Sequence, residues 1–234
     1  MSEMNSPQGT DRRAIPQRST TWAAKLADAM YAARLTPNRV SVGSVLFAAL
    51  GATAFIASAL VTADGVRAVW LIVAVVCIPL RLLLNMLDGM LAVEKGMHTP
   101  TGDLFNEVPD RVADLILLAA AGYATVGIWA TNSIDWGVVI GWAAASAAVM
   151  TAYVRTLGAA NGVGNFFDGP MAKPARMWVL VVASVASLFE PLFDARGVFL
   201  ATGLVIIVVG SVVTVIMRLK RIAAALHARK ADAS

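Results

Sequence analysis

Long apolar segments separated by short polar stretches dominate the chain from residue 40 onward. Six such segments lie at about 40–62, 66–93, 100–129, 134–156, 174–193 and 197–218. Each can cross a hydrocarbon layer of about 30 Å at about 1.5 Å per helical residue, and the second and third are longer than this requires. The pattern predicts an all-α polytopic membrane protein with six transmembrane helices, two of which project beyond the bilayer.

A weaker helical pattern comes before the first of these segments. In residues 20–35, Trp22, Leu26 and Met30 recur at helical spacing, and the charged residues fall largely on other faces. This pattern predicts an amphipathic helix in the membrane interface, with a solvated leader helix as the alternative. Pro37 then falls in the first turn of the first span, where its missing N–H costs no hydrogen bond.

The remaining segments complete the domain organisation. Residues 1–19 are polar and lack the apolar stretch of a signal peptide, so we expect a disordered cytoplasmic tail. The interfacial helix 20–35 follows, then a six-helix transmembrane domain over 36–221. Residues 222–234 are predicted to form a basic cytoplasmic tail.

Lysine and arginine concentrate on one side of the predicted spans. Six lie before the first span, three after the fourth and five after the sixth (Arg12, Arg13, Arg18, Lys25, Arg34, Arg39; Arg155, Lys173, Arg176; Arg218, Lys220, Arg221, Arg229, Lys230). The opposite side holds Arg67 and Arg196. Positive residues favour the cytoplasmic side, so both termini and the segment 85–114 are predicted to be cytoplasmic. We expect the membrane to be a bacterial inner (plasma) membrane.

Composition excludes several classes of protein. A hydrophobic content of 58% and a mean hydropathy of +0.71 exclude an ordinary soluble domain. The net charge of +4 comes from basic residues at the ends of apolar segments, which favours anionic lipid headgroups over nucleic acid as the partner. Cys77 is the single cysteine, so one chain forms neither a disulfide nor a cysteine metal site.

The segment 85–114 is unusually polar for its place between two apolar runs. It carries six carboxylates and two asparagines. Helical spacing places the relevant residues on two faces, Asn85, Asp88 and Ala92 on one and Asn106, Asp110 and Asp114 on the other. If the two helices pack as neighbours, these oxygen atoms meet at the cytoplasmic end, where they would suit Mg²⁺ or Mn²⁺.

Several charged or titratable residues, in this segment and in the C-terminal tail, are not predicted to bind a ligand or take part in catalysis. Glu94, Asp103 and Glu107 fit a solvated boundary, and His98 and His227 are isolated residues with no ligand pattern. Asp88 and Asp110 differ, because ionisable groups on the faces they occupy are costly in a membrane protein unless they serve function.

The same segment resembles the signature of the CDP-alcohol phosphotransferases (CDP-alcohol phosphatidyltransferases), DxxDGxxAR, eight residues, then GxxxDxxxD. The chain reads Asn85-xx-Asp88-Gly89-xx-Ala92-Val93, eight residues, then Gly102-xxx-Asn106-xxx-Asp110. Every position matches in spacing, and Asn85, Val93 and Asn106 differ in identity. "LTPNRVS" and "YVRTLGAANGVG…GPMAKPAR" also resemble family segments, so the likeness covers most of the chain.

The resemblance implies an enzyme of phospholipid biosynthesis, with 36–221 as its catalytic domain. A CDP-alcohol such as CDP-diacylglycerol would lose CMP when the hydroxyl of an acceptor alcohol attacks its β-phosphorus. The family's four motif aspartates hold two metal ions, Mg²⁺ or Mn²⁺, and the last aspartate is the base. Carried over, the metal positions are Asn85, Asp88, Asn106 and Asp110, the base is Asp110, the nucleotide-binding residues are Gly89, Ala92 and Gly102, and the substrate phosphate ligands are Arg155, Lys173 and Arg176.

The departures from the signature leave three accounts open. An asparagine carbonyl coordinates a hard cation without contributing negative charge, so a two-metal site is in question. In the first account the enzyme is active with a retuned site that holds one metal ion, and Glu107 or Asp114 supplies the missing charge. In the second its metals arrive chiefly with the nucleotide, and in the third the protein binds a lipid or nucleotide without turnover. A transporter is disfavoured, since the polar residues gather at one boundary and not at the bilayer midplane.

Two points about partners stay open in the sequence. The acceptor alcohol is not specified, since glycerol phosphate, inositol phosphate, serine and a second lipid all fit a basic cytoplasmic loop. A homodimer is usual in the family, and Gly137 and Gly141 form a GxxxG pattern that suits either a dimer contact or, by default, packing within one chain.

Overall fold

The computed structural model describes residues 20–97 and 99–232, and within them it consists of seven α-helices joined by short connections. These are α1 Thr21–Ala32, α2 Pro37–Leu60, α3 Asp64–Val93, α4 Gly102–Tyr123, α5 Trp136–Ala160, α6 Lys173–Ala186 and α7 Val198–Asp232. A 3-10 helix, Ser187–Leu192, continues α6. Strands β1 Ala130–Thr131 and β2 Ile134–Asp135 pair in an antiparallel hairpin before α5. The predicted tail 1–19, His98 and residues 233–234 lie outside the described residues.

Five helical segments of the described chain are long and apolar enough to cross a membrane. They are Pro37–Leu60, Asp64–Glu94, Trp136–Ala160, Lys173–Leu192 and Val198–Ala231. The prediction of an all-α integral membrane protein is therefore confirmed. The remaining predicted span corresponds to α4, whose 22 residues are long enough but whose first thirteen residues include Glu107, Asp110, Arg111 and Asp114. Its role as a sixth span stays a prediction.

The helix boundaries follow local sequence signals. The side chain of Thr36 caps α2 by accepting a hydrogen bond from Arg39 N at 3.4 Å, and Pro37 occupies the first turn as expected. Asp135 caps α5 in the same way through Val138 N at 3.2 Å. The predicted third span ends early, at Tyr123, because the chain turns before the hairpin and Gly127 adopts a φ of 90°. The predicted tail from residue 222 is helical as far as Asp232.

Helix α1 packs on α3 through its small residues. Ala23 and Ala27 are fully buried beside a cluster that includes Met86, Leu87 and Met90. Trp22 and Leu26, on the face predicted to be apolar, are exposed. The buried face of α1 is therefore the alanine face, and its place in the membrane interface stays a prediction.

Helix α2 contacts both α3 and α4 extensively, whereas α3 and α4 contact each other little. A Cβ added at Gly51 of α2 would lie 3.0 Å from Leu117 of α4 and 3.2 Å from Cys77 of α3, which places α2 between the two helices at this level. The polar faces of α3 and α4 therefore do not meet as a simple hairpin of neighbouring helices. Arg81 and Asn85 of α3 nevertheless reach across to carboxylates of α4.

The crossing of α4 and α5 depends on glycine. A Cβ added at Gly141 would lie 2.5 Å from the Cα of Gly122, and one at Gly137 would lie 2.2 Å from Thr125 Oγ1. The GxxxG pattern therefore serves close helix packing within one chain.

A buried ion pair ties together the end of the bundle opposite the 85–114 segment. Arg67 Nη2 lies 2.9 Å from Glu190 Oε2, and both side chains are buried. Glu190 also accepts hydrogen bonds from Ser187 Oγ at 3.1 Å and from the backbone N–H groups of Gly197 and Phe199, at 2.5 and 2.9 Å. Arg67, predicted from the sequence as a flanking charge, thus links α3 to the start of α7.

Candidate active site

A cavity of about 410 Å³ lies at the end of the bundle where α3 ends and α4 begins. Its polar wall consists of Asn85, Asn106, Glu107, Asp110, Arg111, Thr151, Arg155, Lys173, Arg176 and Arg218. Its apolar wall consists of Trp22, Pro79, Leu82, Leu83, Met86, Ala152, Phe167, Pro174 and Trp178. A cavity of about 540 Å³ at the opposite end, beside Asp194 and Arg196, is lined by none of the predicted site residues. The smaller cavity is therefore the candidate active site.

Asp110 is the most heavily contacted carboxylate in this cavity. Lys173 Nζ forms an ion pair with its Oδ2, and the amide of Asn85 donates a hydrogen bond to its Oδ1. Arg81 and Arg111 approach the same carboxylate at 3.6 and 3.7 Å. These contacts bring α3, α4 and α6 together around one side chain. Both oxygens of the predicted base are therefore engaged by donors from the chain itself.

Asp114, one turn further along α4, holds a buried network together. It is 1% exposed, with Arg81 Nη2 2.7 Å from Oδ1 and Arg176 Nη2 2.6 Å from Oδ2. Arg81 is fully buried and also donates to the main-chain oxygen of Asp110 at 3.2 Å. A buried carboxylate flanked by two guanidinium groups keeps its charge because the pairing offsets its desolvation.

Asp88 is held by a different element. Ser41 Oγ of α2 donates to its Oδ2 at 2.6 Å, which makes the first span part of the site. Asp88 is buried, and its Oδ1 has no hydrogen-bond partner among the described residues. A buried oxygen without a partner is costly unless a ligand completes it. Oδ1 is thus a candidate ligand atom.

The other predicted metal and nucleotide positions divide into two groups. Asn85 and Asn106 line the cavity together with Asp110. Gly89 and Ala92 are half-buried on the last turns of α3, and Gly102 begins α4. None of these last three lines the cavity in the described part of the chain.

The predicted phosphate ligands differ in the exposure of their charged groups and in the contacts those groups already make. Arg155 lies 2.5 Å from Glu107 Oε1 and stacks over the Phe167 ring at 5.3 Å, with its side chain 17% exposed. Lys173 is 19% exposed. The guanidinium of Arg176 is instead buried, bound to Asp114, Thr151 Oγ1 and Met171 O. Arg155 and Lys173 are therefore the predicted cations best placed to reach a ligand.

Arginines of α7 hold the loop that carries Phe167. Arg218 donates to the main-chain oxygens of Thr151, Asp168 and Phe167, at 2.5, 2.8 and 3.1 Å. Arg221 pairs with the Asp168 side chain, and Arg229 donates to Asn161 O at 2.9 Å. The sequence pattern indicated only flanking charges here, whereas the structure shows that α7 positions one wall of the cavity.

Sequence reasoning missed four side chains that shape the site: Ser41, Arg81, Arg111 and Arg218. Arg81 had a visible signal, because an arginine inside an apolar run is costly unless it is paired or functional. Ser41 had none, since its role depends on which helix packs against α3.

The charge balance bears on the number of metal ions. Six cationic side chains (Arg81, Arg111, Arg155, Lys173, Arg176, Arg218) and four carboxylates (Asp88, Glu107, Asp110, Asp114) lie in or beside the cavity. Within residues 20–97 and 99–232, no group of three or more His, Cys, Asp or Glu residues is placed to hold a metal ion. Carboxylate and amide oxygens are the donors that a hard cation prefers, but two of the four motif positions lack the carboxylate that would offset the charge of a second ion.

Comparison with known proteins adds information on the fold. No protein-family model matches the chain, and no curated protein matches it. Three solved structures of Mycobacterium tuberculosis phosphatidylinositol phosphate synthase are similar, each at 22% identity. The apo form gives a TM-score of 0.65 over 84% of this chain and 93% of that one. The form with CDP-DAG bound gives a TM-score of 0.62 over 87% of this chain and 94% of that one. The form with manganese and citrate gives a TM-score of 0.61 over 86% of this chain and 88% of that one. The chain shares the fold of these structures over most of its length.

Proposed function

We propose that this protein is a membrane-embedded phosphotransferase of phospholipid biosynthesis. It transfers a phosphatidyl (substituted phosphate) group from a CDP-alcohol, such as CDP-diacylglycerol, to an acceptor alcohol and releases CMP. The observation that carries the proposal is the cavity itself, where Asn85, Asn106, Asp110 and Lys173 converge from three helices beside an apolar wall. The shared fold with an enzyme whose structure includes bound CDP-DAG supports the same substrate class.

The two walls of the cavity match the two parts of such a substrate. Trp22, Leu83 and Trp178 offer an apolar surface for acyl chains, and Arg155 and Lys173 offer charge to a diphosphate. Charge-assisted hydrogen bonds from arginine and lysine are the usual means of holding phosphate oxygens. Gly89, Ala92 and Gly102 lack large side chains, and we assign them to the approach of the nucleotide.

The reaction requires a nucleophile, a base and a leaving group. The acceptor hydroxyl attacks the β-phosphorus, the bond from that phosphorus to the bridging oxygen breaks, and CMP departs with the oxygen. Asp110 accepts the hydroxyl proton. Without substrate, Lys173 forms an ion pair with Asp110 Oδ2. A diphosphate that binds Lys173 instead would therefore free this oxygen of the base to accept a proton.

A single Mg²⁺ or Mn²⁺ ion suits the remaining donors. Asp88 would hold it with the amide oxygens of Asn85 and Asn106, and with Asp110 when Lys173 has turned to substrate. The ion would supply further neutralisation of the diphosphate charge.

The finer organisation is also proposed from the sequence. α4 is the sixth span of the catalytic domain 36–221, α1 lies in the membrane interface, and both termini and the cavity face the cytoplasm of a bacterial cell. A homodimer follows from the family resemblance. Its contact is not built on Gly137 and Gly141, because Thr125 covers the first and Gly122 of α4 covers the second.

Release of CMP tests the function directly. The purified chain is incubated with CDP-diacylglycerol, Mg²⁺ or Mn²⁺, and a panel of glycerol phosphate, inositol phosphate, serine and a lipid alcohol. We expect CMP with one acceptor class, loss of it in Asp110→Asn, and no change in Asp28→Asn, an exposed carboxylate of α1. Absence of CMP with every acceptor, or undiminished release by Asp110→Asn, contradicts the proposal.

A second candidate is a protein that binds the lipid or nucleotide without turnover. Asn85, Val93 and Asn106 favour it, and the hydrogen bond from Asn85 to Asp110 satisfies an oxygen that the base would use. This candidate predicts CDP binding without CMP release, and activity that appears only after Asn85→Asp, Val93→Arg and Asn106→Asp together. Activity of the natural chain refutes it.

A further inference from the structure

We infer that Lys173 takes the place of a second divalent cation, so that the site holds one metal ion and neutralises the rest of a diphosphate with its own ammonium group. The inference rests on the proposed function. It specifies how this chain handles the charge that its asparagines leave uncompensated.

The first step concerns the ligands. A two-metal site holds its ions about 3.5–4 Å apart and needs carboxylates to offset their charge. The four motif positions supply carboxylates only at Asp88 and Asp110, and Asn85 and Asn106 contribute none. Glu107 and Asp114 do not fill the gap, because Arg155 and two buried arginines already pair with them.

The second step concerns the space around Asp110. Lys173 Nζ contacts Oδ2, and the amide of Asn85 contacts Oδ1. Arg81 and Arg111 lie within 4 Å of the same carboxylate, at 3.6 and 3.7 Å. Once Lys173 turns to the diphosphate, Asp110 is free for the single ion, but a second divalent ion beside it would still face these two guanidinium groups.

The third step concerns the position of Lys173 itself. It is the first residue of α6 and precedes Pro174, so the ammonium group projects from a fixed helix start whose dipole also favours anions. Its side chain lines the cavity and is 19% exposed. It can therefore turn from Asp110 to a diphosphate without leaving the site.

Metal counting is the first test. The full chain in lipid nanodiscs is titrated with Mn²⁺ in the presence of CDP, and bound ions are counted by electron paramagnetic resonance. We expect one Mn²⁺ per chain. The variant Asn85→Asp/Asn106→Asp should bind a second ion. Its melting temperature should fall in EDTA, because the added carboxylates repel Asp88 and Asp110, and it should recover when Mn²⁺ is added. Two ions bound with similar affinity in the natural chain overturn the inference.

Binding of CDP in EDTA is the second test. Lys173→Met should weaken CDP binding roughly tenfold, as loss of one charge-assisted contact predicts, and Lys173→Arg should retain most of it. Lys95→Met is the matched control, since this lysine pairs with Asp28 and does not line the cavity. Equal CDP affinity of Lys173→Met and the natural chain contradicts the inference. If Lys173→Met fails to fold, the ion count of the natural chain still decides the question.

The two tests separate this inference from the proposed function. Suppose that the chain binds one Mn²⁺ and binds CDP in EDTA but releases no CMP. This result would refute the phosphotransferase and support the inference that Lys173 takes the place of a second metal ion. Release of CMP by a chain that binds two Mn²⁺ ions would support the phosphotransferase and refute the inference about Lys173.

Discussion

At the scale of single residues, the site consists of two layers of charge. Asp114 and Arg176 form a buried layer with Arg81, while Asp110 and Lys173 face the cavity above it. The motif spacing predicted Asp110 and its neighbours on α4, and it placed Asp114 in line with them. It could not identify Arg81 and Arg176 as the partners of Asp114, because those lie 33 residues before it and 62 after it.

Removal of Arg81 should destabilise the fold. Arg81→Met leaves Asp114 with one of its two buried partners, and breaking a buried ion pair costs about 3–5 kcal/mol. We expect a clear loss of thermal stability in detergent, measured by the melting curve of the purified protein. Arg39→Met, at an exposed position of α2, should melt like the natural chain. Equal melting temperatures for the two variants would show that the network does not stabilise the bundle.

At the scale of helices, small residues decide which elements approach closely. Gly122 and Gly141 bring α4 against α5, and Gly51 seats α2 against both α3 and α4. The sequence indicated close packing for the GxxxG pattern but did not identify its partner helix. That choice depends on the complementary gap at Gly122, which has no sequence motif of its own.

Gly141→Ala should disturb this crossing. The added Cβ would lie 2.5 Å from Gly122 Cα, which forces backbone movement, and overpacking of this kind costs about 1–3 kcal/mol. We expect a lower melting temperature. Gly65→Ala is the control, because a Cβ there would meet no atom within 4 Å beyond its chain neighbours and its own helix backbone, and alanine favours a helix. A Gly141→Ala protein as stable as Gly65→Ala would contradict the close crossing.

The contact between α7 and the 161–172 loop should affect turnover more than stability. Arg218→Met removes three hydrogen bonds to main-chain oxygens, so the loop that carries Phe167 should become mobile. We expect faster amide hydrogen exchange in the loop and a CMP release rate reduced roughly tenfold, since misplaced substrate contacts are costly to catalysis. Lys220→Met, an exposed neighbour on α7, should change neither. Unchanged exchange in Arg218→Met would mean that other contacts hold the loop.

At the scale of the whole molecule, the fold separates two polar ends across an apolar bundle. One end carries the candidate active site, and the other carries the Arg67–Glu190 pair and the short hairpin. The positive-inside pattern predicts that the active-site end is cytoplasmic.

Chemical labelling from one side tests the orientation. In a Cys77→Ser background, Lys25→Cys lies at the end with the cavity and Thr131→Cys lies in the opposite hairpin, and both positions are exposed. In intact bacterial cells, we expect a membrane-impermeant maleimide to label Thr131→Cys and to reach Lys25→Cys only after lysis. The reverse pattern would overturn the predicted topology.

The sequence by itself determined the class of protein and which polar residues share a helix face. Apolar length specifies where helices cross a membrane, and helical period specifies which side chains share a face, because both are local properties of the chain. Only the tertiary structure decided the partners: Ser41 on Asp88, Lys173 and Asn85 on Asp110, two arginines on Asp114. These contacts join residues far apart in sequence, and they form because α2 lies against both α3 and α4 while α6 begins beside the cavity. The same packing surrounds the incomplete motif with cations, a property that the motif alone does not contain.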